Sequence, residues 1–302
     1  MMKRLSNPIL FILSAAFLFG LGSVLSKKVG NTSASDSIHP FQIVYARFFF
    51  AFIIVSVLVF FKKTKFKSPN LSLHTLRSAC GWAGVAILFS GVIYIPASDA
   101  VAITFLNPVF AMLLAIFVLK ERFKINRWIA VVISLLGTVV LLRPSLDFGS
   151  NLFAYLCLAG AFIMGIEILC IKVLSEREPF LQILFINNLI ATLIGVFPML
   201  LFFKTPNIIQ LIELVSIAGA MVLGQFFFLN AMKGTETTFI APFFYSTLVF
   251  VMILDLALFG VIPDMISLIG ASLIILGGIS VSYTHLRAHE TRGNLVCRLL
   301  LE

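Results

Sequence analysis

Charged residues are scarce in this chain. Of 302 residues, 12% are charged and 60% are hydrophobic. In soluble domains about a quarter of all residues are charged, so this composition excludes a soluble globular protein. The sequence predicts an all-α membrane protein.

Cysteine and histidine are also rare, and their positions suggest no chemical site. Outside the C-terminal segment the histidines are His39 and His74, predicted near opposite membrane faces, which argues against a membrane-embedded enzyme. No nucleotide-binding loop occurs. The cysteines show neither paired nor metal-type spacing: Cys80, Cys157, Cys170 and Cys297. We therefore expect no metal, no cofactor and no catalysis.

The chain has no segment long enough to fold as a soluble domain between its apolar runs. A bilayer-crossing helix needs about 20 mostly apolar residues, and the sequence predicts ten transmembrane helices. They lie near 8–26, 41–61, 78–95, 97–119, 125–142, 151–174, 180–203, 209–231, 237–260 and 265–282.

Lysine and arginine are distributed unevenly between the two sides of these spans. With a cytoplasmic N-terminus, fourteen of them, Arg77 included, fall in inner breaks and four in outer breaks. Cytoplasmic loops carry the excess of positive charge, which predicts that both termini are cytoplasmic. The net charge of +9 then favours anionic lipid headgroups and not nucleic acid.

The two halves of the chain resemble each other. "TFLNPVF" (104–110) returns as "TFIAPFF" (238–244), and "PFQIVYAR" from Pro40 resembles "PFLQILFIN" from Pro179. Five spans per half is an odd number, so the second copy is predicted to be inverted. We expect five-helix repeats at 1–145 and 146–282, an arrangement typical of secondary transporters with a solute site between the halves.

The repeated prolines have a physical consequence. Pro108 and Pro242 each lack an N–H and clash with the carbonyl four residues back, at Thr104 and Thr238. The pattern predicts a kink in each helix and a paired hinge or cavity lining. The alternative is that proline is simply common in membrane helices.

Longer stretches resemble a known family. "AITFLNPVFAMLLAIFVLKERFKINRWIAVVISLLGTVVLLRP" (102–144) and "APFFYSTLVFVMILDLALFGVIPDMISLIGASLIILGG" (241–278) resemble the ten-helix, EamA-type branch of the drug/metabolite transporter superfamily. The second stretch is similar to members grouped with carboxylate, amine and S-adenosylmethionine carriers. One departure is Val261, which follows Gly260 where the family often has glutamate.

Arg47 and Glu167 are charged residues deep within predicted spans. Arg47, where a charge costs about 2.5–3.5 kcal/mol, matches Asn187 in the other repeat. Arg47 either attracts a carboxylate or phosphate or gates the outer mouth, or it ties helix ends to backbone carbonyls. Glu167, in the middle of span six, must be protonated or face a partner. It is the first candidate for binding a cationic group or carrying a proton.

Aromatic and amide groups complete the predicted substrate-binding or gating set. The family resemblance implies that their spans surround the central path, and the residues are Trp82, Tyr94, Asn107, Gln225, Asn230 and Tyr245. Glu121 belongs to a charged cluster predicted to pair helix ends and set topology. Asp255, near an outer helix end, could reach water.

The segment 283–302 differs from the rest of the sequence. In "HLRAHE", His285 and His289 lie one helical turn apart beside Glu290, which invites a metal-site interpretation. The string resembles the translation of an adapter or vector fragment, so we expect a non-native tail.

These patterns predict a secondary transporter of small amphipathic metabolites in the bacterial inner membrane. Amino acids, amines and S-adenosylmethionine are the solutes that the resemblance implies. The expected partners are a small-molecule solute and membrane lipid, with a homodimer left open. A non-transporting sensor or scaffold is the alternative, although it would usually carry a soluble output domain.

Overall fold

The computed structural model describes residues 8–30, 38–64, 66–95, 97–122, 124–144 and 152–280. Within these residues the chain is helical and forms no strand. The predicted tail at 283–302 lies outside them. In chain order the helices are α1 (Pro8–Gly30), α2 (Pro40–Phe61), α3 (Leu71–Tyr94), α4 (Ala97–Thr104), α5 (Asn107–Leu119), α6 (Ile125–Leu142), α7 (Leu152–Arg177), α8 (Phe180–Leu201), α9 (Ile208–Met232), α10 (Thr237–Phe244), α11 (Ser246–Phe259) and α12 (Met265–Ser280).

Eight helical stretches of 18–26 residues are long and apolar enough to cross a bilayer. Six are the single helices α1, α2, α6, α7, α8 and α9, and two are the composites α4–α5 and α10–α11. Helix α12 is a shorter apolar helix. About 20 residues span the hydrocarbon core, so the chain is a multi-pass helical membrane protein.

Helix α3 begins earlier than the sequence predicted. The predicted third span starts at residue 78 and leaves Arg77 in a loop, whereas α3 starts at Leu71. Arg77 is therefore inside a helix, and it is 1% exposed. The prediction of a loop position was wrong because a hydropathy window excludes a terminal charge that tertiary packing can bury.

Both composite spans are interrupted near the repeated proline. Between α4 and α5 the backbone forms a turn with a hydrogen bond between residues three apart, from Leu106 N–H to Ile103 O at 3.0 Å. Pro108 lies in the first turn of α5. In the second composite, Pro242 lies inside α10 and the interruption follows at Tyr245. The sequence predicted a kink at each proline, and the structure has a helix interruption near each one, before Pro108 and after Pro242.

Helices α6 and α12 cross at two glycines. A Cβ atom on Gly137 would lie 2.7 Å from the carbonyl oxygen of Gly270, and a Cβ atom on Gly270 would lie 2.8 Å from that of Gly137. Small residues let membrane helices approach closely enough to gain van der Waals contact. This crossing therefore excludes any side chain at either position.

Two glutamines tie helix starts to loops in the opposite half of the chain. Gln42 in α2 donates to Lys204 O (2.6 Å) and accepts from Lys204 N–H (2.9 Å). Gln182 in α8 donates to Lys67 O (3.1 Å) and accepts from Lys67 N–H (2.7 Å). Both glutamines are buried. Each one bonds the backbone N–H and carbonyl groups of one loop residue and so holds one end of the α2–α8 pair.

The end of the helix bundle where Gln182 lies contains further buried polar groups. Glu178 contacts His74 Nε2 at 2.8 Å and accepts from the backbone N–H of Asn70 at 3.0 Å. At the Gln42 end, Lys27 and Lys28 form ion pairs with Asp255 and Glu213, and these lysine side chains are 48% and 56% exposed. Exposed pairs contribute about 0–1 kcal/mol, so the two ends are closed by different kinds of interaction.

We expect Gly137→Ala to lower the melting temperature of the purified protein in detergent. The added methyl group meets backbone atoms of α12, which cannot rotate away, and overpacking costs about 1–3 kcal/mol. Gly219→Ala in α9 is the control, because a Cβ atom there meets nothing within 4 Å. Equal melting temperatures for the two variants would contradict the α6–α12 crossing.

Candidate functional site

A cavity of about 270 Å³ lies at the centre of the helix bundle. Residues of both halves line it, including Arg47, Arg77, Glu167 and Asn187. Its remaining walls are largely apolar and include Phe19, Phe48, Phe105, Phe228 and Phe244. A mostly apolar cavity with a few convergent polar groups is the usual form of a small-molecule site.

Glu167 projects from α7 against the backbone of α3. A Cβ atom on Gly81 would lie 2.8 Å from both Cδ and Oε1 of Glu167, so the missing side chain at Gly81 makes room for the carboxylate. Glu167 interacts electrostatically with Arg77 and Arg47. No ion pair within 4.0 Å involves Glu167 among the described residues.

The two arginines have weak hydrogen-bond partners. Arg47 donates to the thioether sulfur of Met221 over 3.8 Å, and its guanidinium lies 4.3 Å from the ring centre of Phe48. Arg77 donates to Ile183 O over 3.4 Å, and its Nε atom has no partner among the described residues. Both side chains therefore keep donor capacity beside the cavity.

Amide groups supply the other polar atoms of the cavity wall. Ser78 donates to Asn187 Oδ1 at 3.0 Å, which joins α3 to α8. The side-chain oxygens of Asn107 and Gln225 are buried and have no protein partner within the described part of the chain. An amide can accept and donate hydrogen bonds at once, so these groups can orient a bound solute.

The structure brings five of the predicted site residues to the cavity: Arg47, Asn107, Glu167, Asn187 and Gln225. Trp82, Tyr94 and Asn230 lie elsewhere. Trp82 stacks on Phe41 at 6.2 Å, and Tyr94 is 59% exposed. Asn230 donates to Phe226 O within its own helix at 2.8 Å.

Tyr245, Pro108 and Pro242 do not line the cavity. Tyr245 is fully buried and its hydroxyl has no partner among the described residues. Pro108 borders a separate small apolar void, and Pro242 is buried inside α10. Residues next to the breaks line the cavity itself, among them Thr104 and Thr247.

Arg77 is the site residue that the sequence analysis missed. It was counted as a loop charge, and its helical position emerges only when α3 is extended towards its N-terminus. The signal that could have found it is the cap residue Asn70, whose side chain accepts from Leu73 N–H at 3.1 Å. Asn is a favoured residue at helix starts, and a start at this position places Arg77 two turns into the helix.

Glu121 links the α5–α6 connection to the start of α10. Its two carboxylate oxygens accept from the backbone N–H groups of Thr237 (2.7 Å) and Thr238 (3.0 Å). These groups lack intrahelical partners at a helix N-terminus, where a negative charge is also favourable. The predicted helix-end pairing is thus present, and it joins the two halves of the chain.

Arg127 adds a second link at the same helix start. Its guanidinium bonds the carboxylate of Glu236 and the hydroxyl of Thr238. Burial opposes ionisation of Glu236, but the hydrogen bond and charge of Arg127, with Lys124 nearby, outweigh it and hold the pKa of Glu236 below its usual value. This carboxylate therefore stays charged at neutral pH.

We expect Glu121→Ala to destabilise the purified protein by about 0.5–2 kcal/mol, the cost of losing a side-chain cap. Glu121→Gln should cost less, because the amide keeps one acceptor oxygen for the N–H of Thr237 or Thr238. Thermal unfolding of the two variants and the wild type tests the order. Equal losses for Ala and Gln would show that the capping oxygens do not matter.

The pH dependence of stability should contain a contribution from Glu236. Its folded-state pKa is depressed, so its stabilisation is complete above the unfolded value of about 4.3 and is lost as pH falls through the folded value. Melting curves of wild type and Glu236→Gln between pH 7 and pH 3 measure it. The stability difference between them should shrink on acidification, and a constant difference would contradict the contribution.

Two similar proteins of known name are bacterial transporters. An S-adenosylmethionine uptake transporter of Rickettsia prowazekii is 26% identical over 96% of this chain and 97% of its own length. A pseudopaline exporter of Pseudomonas aeruginosa is 23% identical over 93% of this chain and 97% of its own length. A solved crystal structure with 18% identity covers 92% of this chain and 98% of its own, with a TM-score of 0.76, which shows a shared fold.

The EamA-like transporter family model matches residues 6–143 and again residues 151–283. Together the two matches cover most of the sequence, and the chain belongs to the EamA-like transporter family.

Proposed function

We propose that this protein is a secondary transporter that moves small amphipathic metabolites by alternating access of the central cavity. The observation that carries the proposal is the cavity itself, where residues from both halves place Arg47, Arg77 and Glu167 among phenylalanine rings. Charged groups inside a membrane bundle mark solute or ion pathways, because their burial is costly.

The proposed architecture is ten spans in two inverted repeats, with boundaries at 1–145 and 146–282. Two consecutive matches to one family model support it. If α1, α2 and α3 correspond to α7, α8 and α9, the observed packing of α1 on α9 corresponds to that of α7 on α3, and α2 packs on its own counterpart α8. The crossing glycines also occupy equivalent sites, in "ISLLG" (133–137) and "ISLIG" (266–270).

The paired glutamines provide further support for inversion. Gln42 and Gln182 follow the corresponding prolines Pro40 and Pro179, and each holds the loop after the other repeat's second helix. An inverted pair would place these contacts at opposite membrane faces. With the positive-inside distribution of the sequence, the Gln182 end is the cytoplasmic one and both termini are cytoplasmic.

The residues predicted from the sequence each have a role in this proposal. Arg47 attracts an anionic group, Glu167 binds a cationic group or carries a proton, and Asn107, Asn187 and Gln225 orient the solute. Pro108 and Pro242 act as hinges behind the cavity. Trp82, Tyr94, Asn230 and Tyr245 hold the surrounding helices.

The proposed solute class is that of amino acids, amines and S-adenosylmethionine, and the proposed location is the bacterial inner membrane. The relative named as an S-adenosylmethionine uptake transporter supports S-adenosylmethionine among these solutes, and its source, Rickettsia prowazekii, supports a bacterial membrane. A cavity of about 270 Å³ approaches the lower range of small-molecule pockets, which is about 300 Å³. Phenylalanine faces are suited to cover the apolar or cationic part of such a solute.

Liposomes containing the full-length protein test the proposal. They are incubated with a bacterial metabolite extract, with and without an imposed proton gradient, and their contents are compared with those of empty liposomes by mass spectrometry. Selective accumulation of one solute class is expected. No accumulation by folded protein would refute transport and favour the sensor or scaffold alternative.

Glu167→Gln should lower transport of the accumulated solute at least about tenfold, because removal of one partner from a desolvated charge group costs several kcal/mol. Glu213→Gln is the matched control, since Glu213 pairs with Lys28 away from the cavity. The measurement is initial uptake rate against pH at equal protein levels. Unchanged affinity and unchanged pH dependence in Glu167→Gln would exclude this role.

A further inference from the structure

We propose that Arg77 and Arg47 together bind a carboxylate of the solute, so that the protein carries only metabolites that bear one. Arg77 is then the residue that separates amino acids and their derivatives from the corresponding amines. This inference rests on the proposed transport function and narrows its solute class.

The first argument is the number of unused donors. A guanidinium carries five N–H donors and no acceptor. Arg77 is 1% exposed, yet within the described part of the chain its hydrogen bond is one contact of 3.4 Å to Ile183 O, with Nε unpartnered. Buried polar groups normally have partners, so this arrangement indicates a ligand with acceptor oxygens.

Arg47 also lacks strong hydrogen-bond acceptors. Its contacts are the sulfur of Met221 and the face of Phe48, and neither is a strong acceptor for a charged donor. Arg47 lies in α2 and Arg77 in α3, and both line one cavity. Two guanidiniums with free donors that line the same cavity suit an oxygen pair.

Glu167 is too far away to satisfy either arginine fully. It interacts electrostatically with both, but it forms no ion pair within 4.0 Å in the described chain, and its carboxylate lies against Gly81. With Glu167 ionised, two cations and one anion leave the charged lining groups with one excess positive charge. An acid group of the solute placed at the two guanidiniums offsets this excess locally, whatever charge the rest of the solute carries.

The size of this local excess favours a carboxylate over a phosphate. A carboxylate brings one negative charge to the one excess positive charge, and a guanidinium binds it bidentately, as it also binds phosphate. A phosphate dianion would leave an excess negative charge next to Glu167. An amine without an acid group would place a third cation beside Arg47 and Arg77, and like charges repel strongly in a medium of low polarity.

The geometry also leaves a place for an amino group. The carboxylate of Glu167 faces the same cavity as the two guanidiniums, so a zwitterion can direct its acid group to the arginines and its ammonium group to Glu167. Phe105 and Phe244 contribute to the apolar wall, which suits the side chain of such a metabolite. The site thus selects an amino acid or amino-acid derivative.

Pairs of solutes that differ by the carboxylate test the proposal. Liposomes with the full-length protein receive S-adenosylmethionine or decarboxylated S-adenosylmethionine, and phenylalanine or phenethylamine, and the protein-dependent uptake above empty liposomes is measured. In wild type, the acid member of the transported pair should enter about ten to a hundred times faster than the amine, as expected for hydrogen bonds to charged groups.

Variants of Arg77 assign the discrimination to one residue. Arg77→Gln should reduce the acid-to-amine ratio to about one, while Arg77→Lys, which keeps the charge and loses the fork, should give an intermediate ratio. Arg177→Gln, at an exposed position at the end of α7, is the matched control and should keep the wild-type ratio.

The outcomes separate this inference from the proposed function. Equal protein-dependent uptake of acid and amine by wild type would overturn the carboxylate site and leave transport intact, and this result needs no variant to fold. An unchanged ratio in Arg77→Gln would overturn the role of Arg77. Preferred uptake of a phosphate monoester such as phosphoethanolamine would replace the carboxylate by a phosphate. Failure of every solute in these pairs and in the metabolite extract would remove the transport function and the carboxylate site together.

Discussion

The burial of two guanidiniums and one carboxylate in a membrane protein is the constraint on which the central architecture depends. Each buried charge costs several kcal/mol unless it is paired or solvated, and lipid offers no compensation. The bundle meets this cost by grouping Arg47, Arg77 and Glu167 around one cavity. Their charges interact across it without close ion pairs among the described residues.

Close contact between helices allows these charged side chains to lie around one cavity. Helix α7 can direct Glu167 across to α3 because Gly81 has no side chain, and α6 can cross α12 because Gly137 and Gly270 have none. Without a hydrophobic force between helices in lipid, such contacts supply the packing energy themselves. The glycines therefore determine both where the helices meet and where the carboxylate lies.

The two ends of the bundle differ in the kind of polar contact that closes them. Buried hydrogen bonds of Gln182, Glu178 and His74 hold one end, and Glu121 fixes the start of α10. At the other end, buried Gln42 bonds the backbone of Lys204, and the exposed side chains of Lys27 and Lys28 form ion pairs with carboxylates. In the proposed alternating-access cycle, the polar contacts of each end must break when that end opens. The free energy needed to open each end therefore depends on which kind of contact closes it.

The amino-acid sequence by itself determined the membrane class, the approximate positions of most helices and the presence of irregular backbone near Pro108 and Pro242, because hydropathy and proline chemistry are local properties. It also identified Arg47, Asn187 and Glu167 as charged or amide groups within apolar runs. Only the tertiary structure decided that Arg77 joins them and that Tyr94 and Asn230 do not, since these outcomes depend on helix rotation and on contacts between distant segments. Hydropathy records how apolar a segment is, whereas the direction in which each side chain points is determined by packing with neighbouring helices.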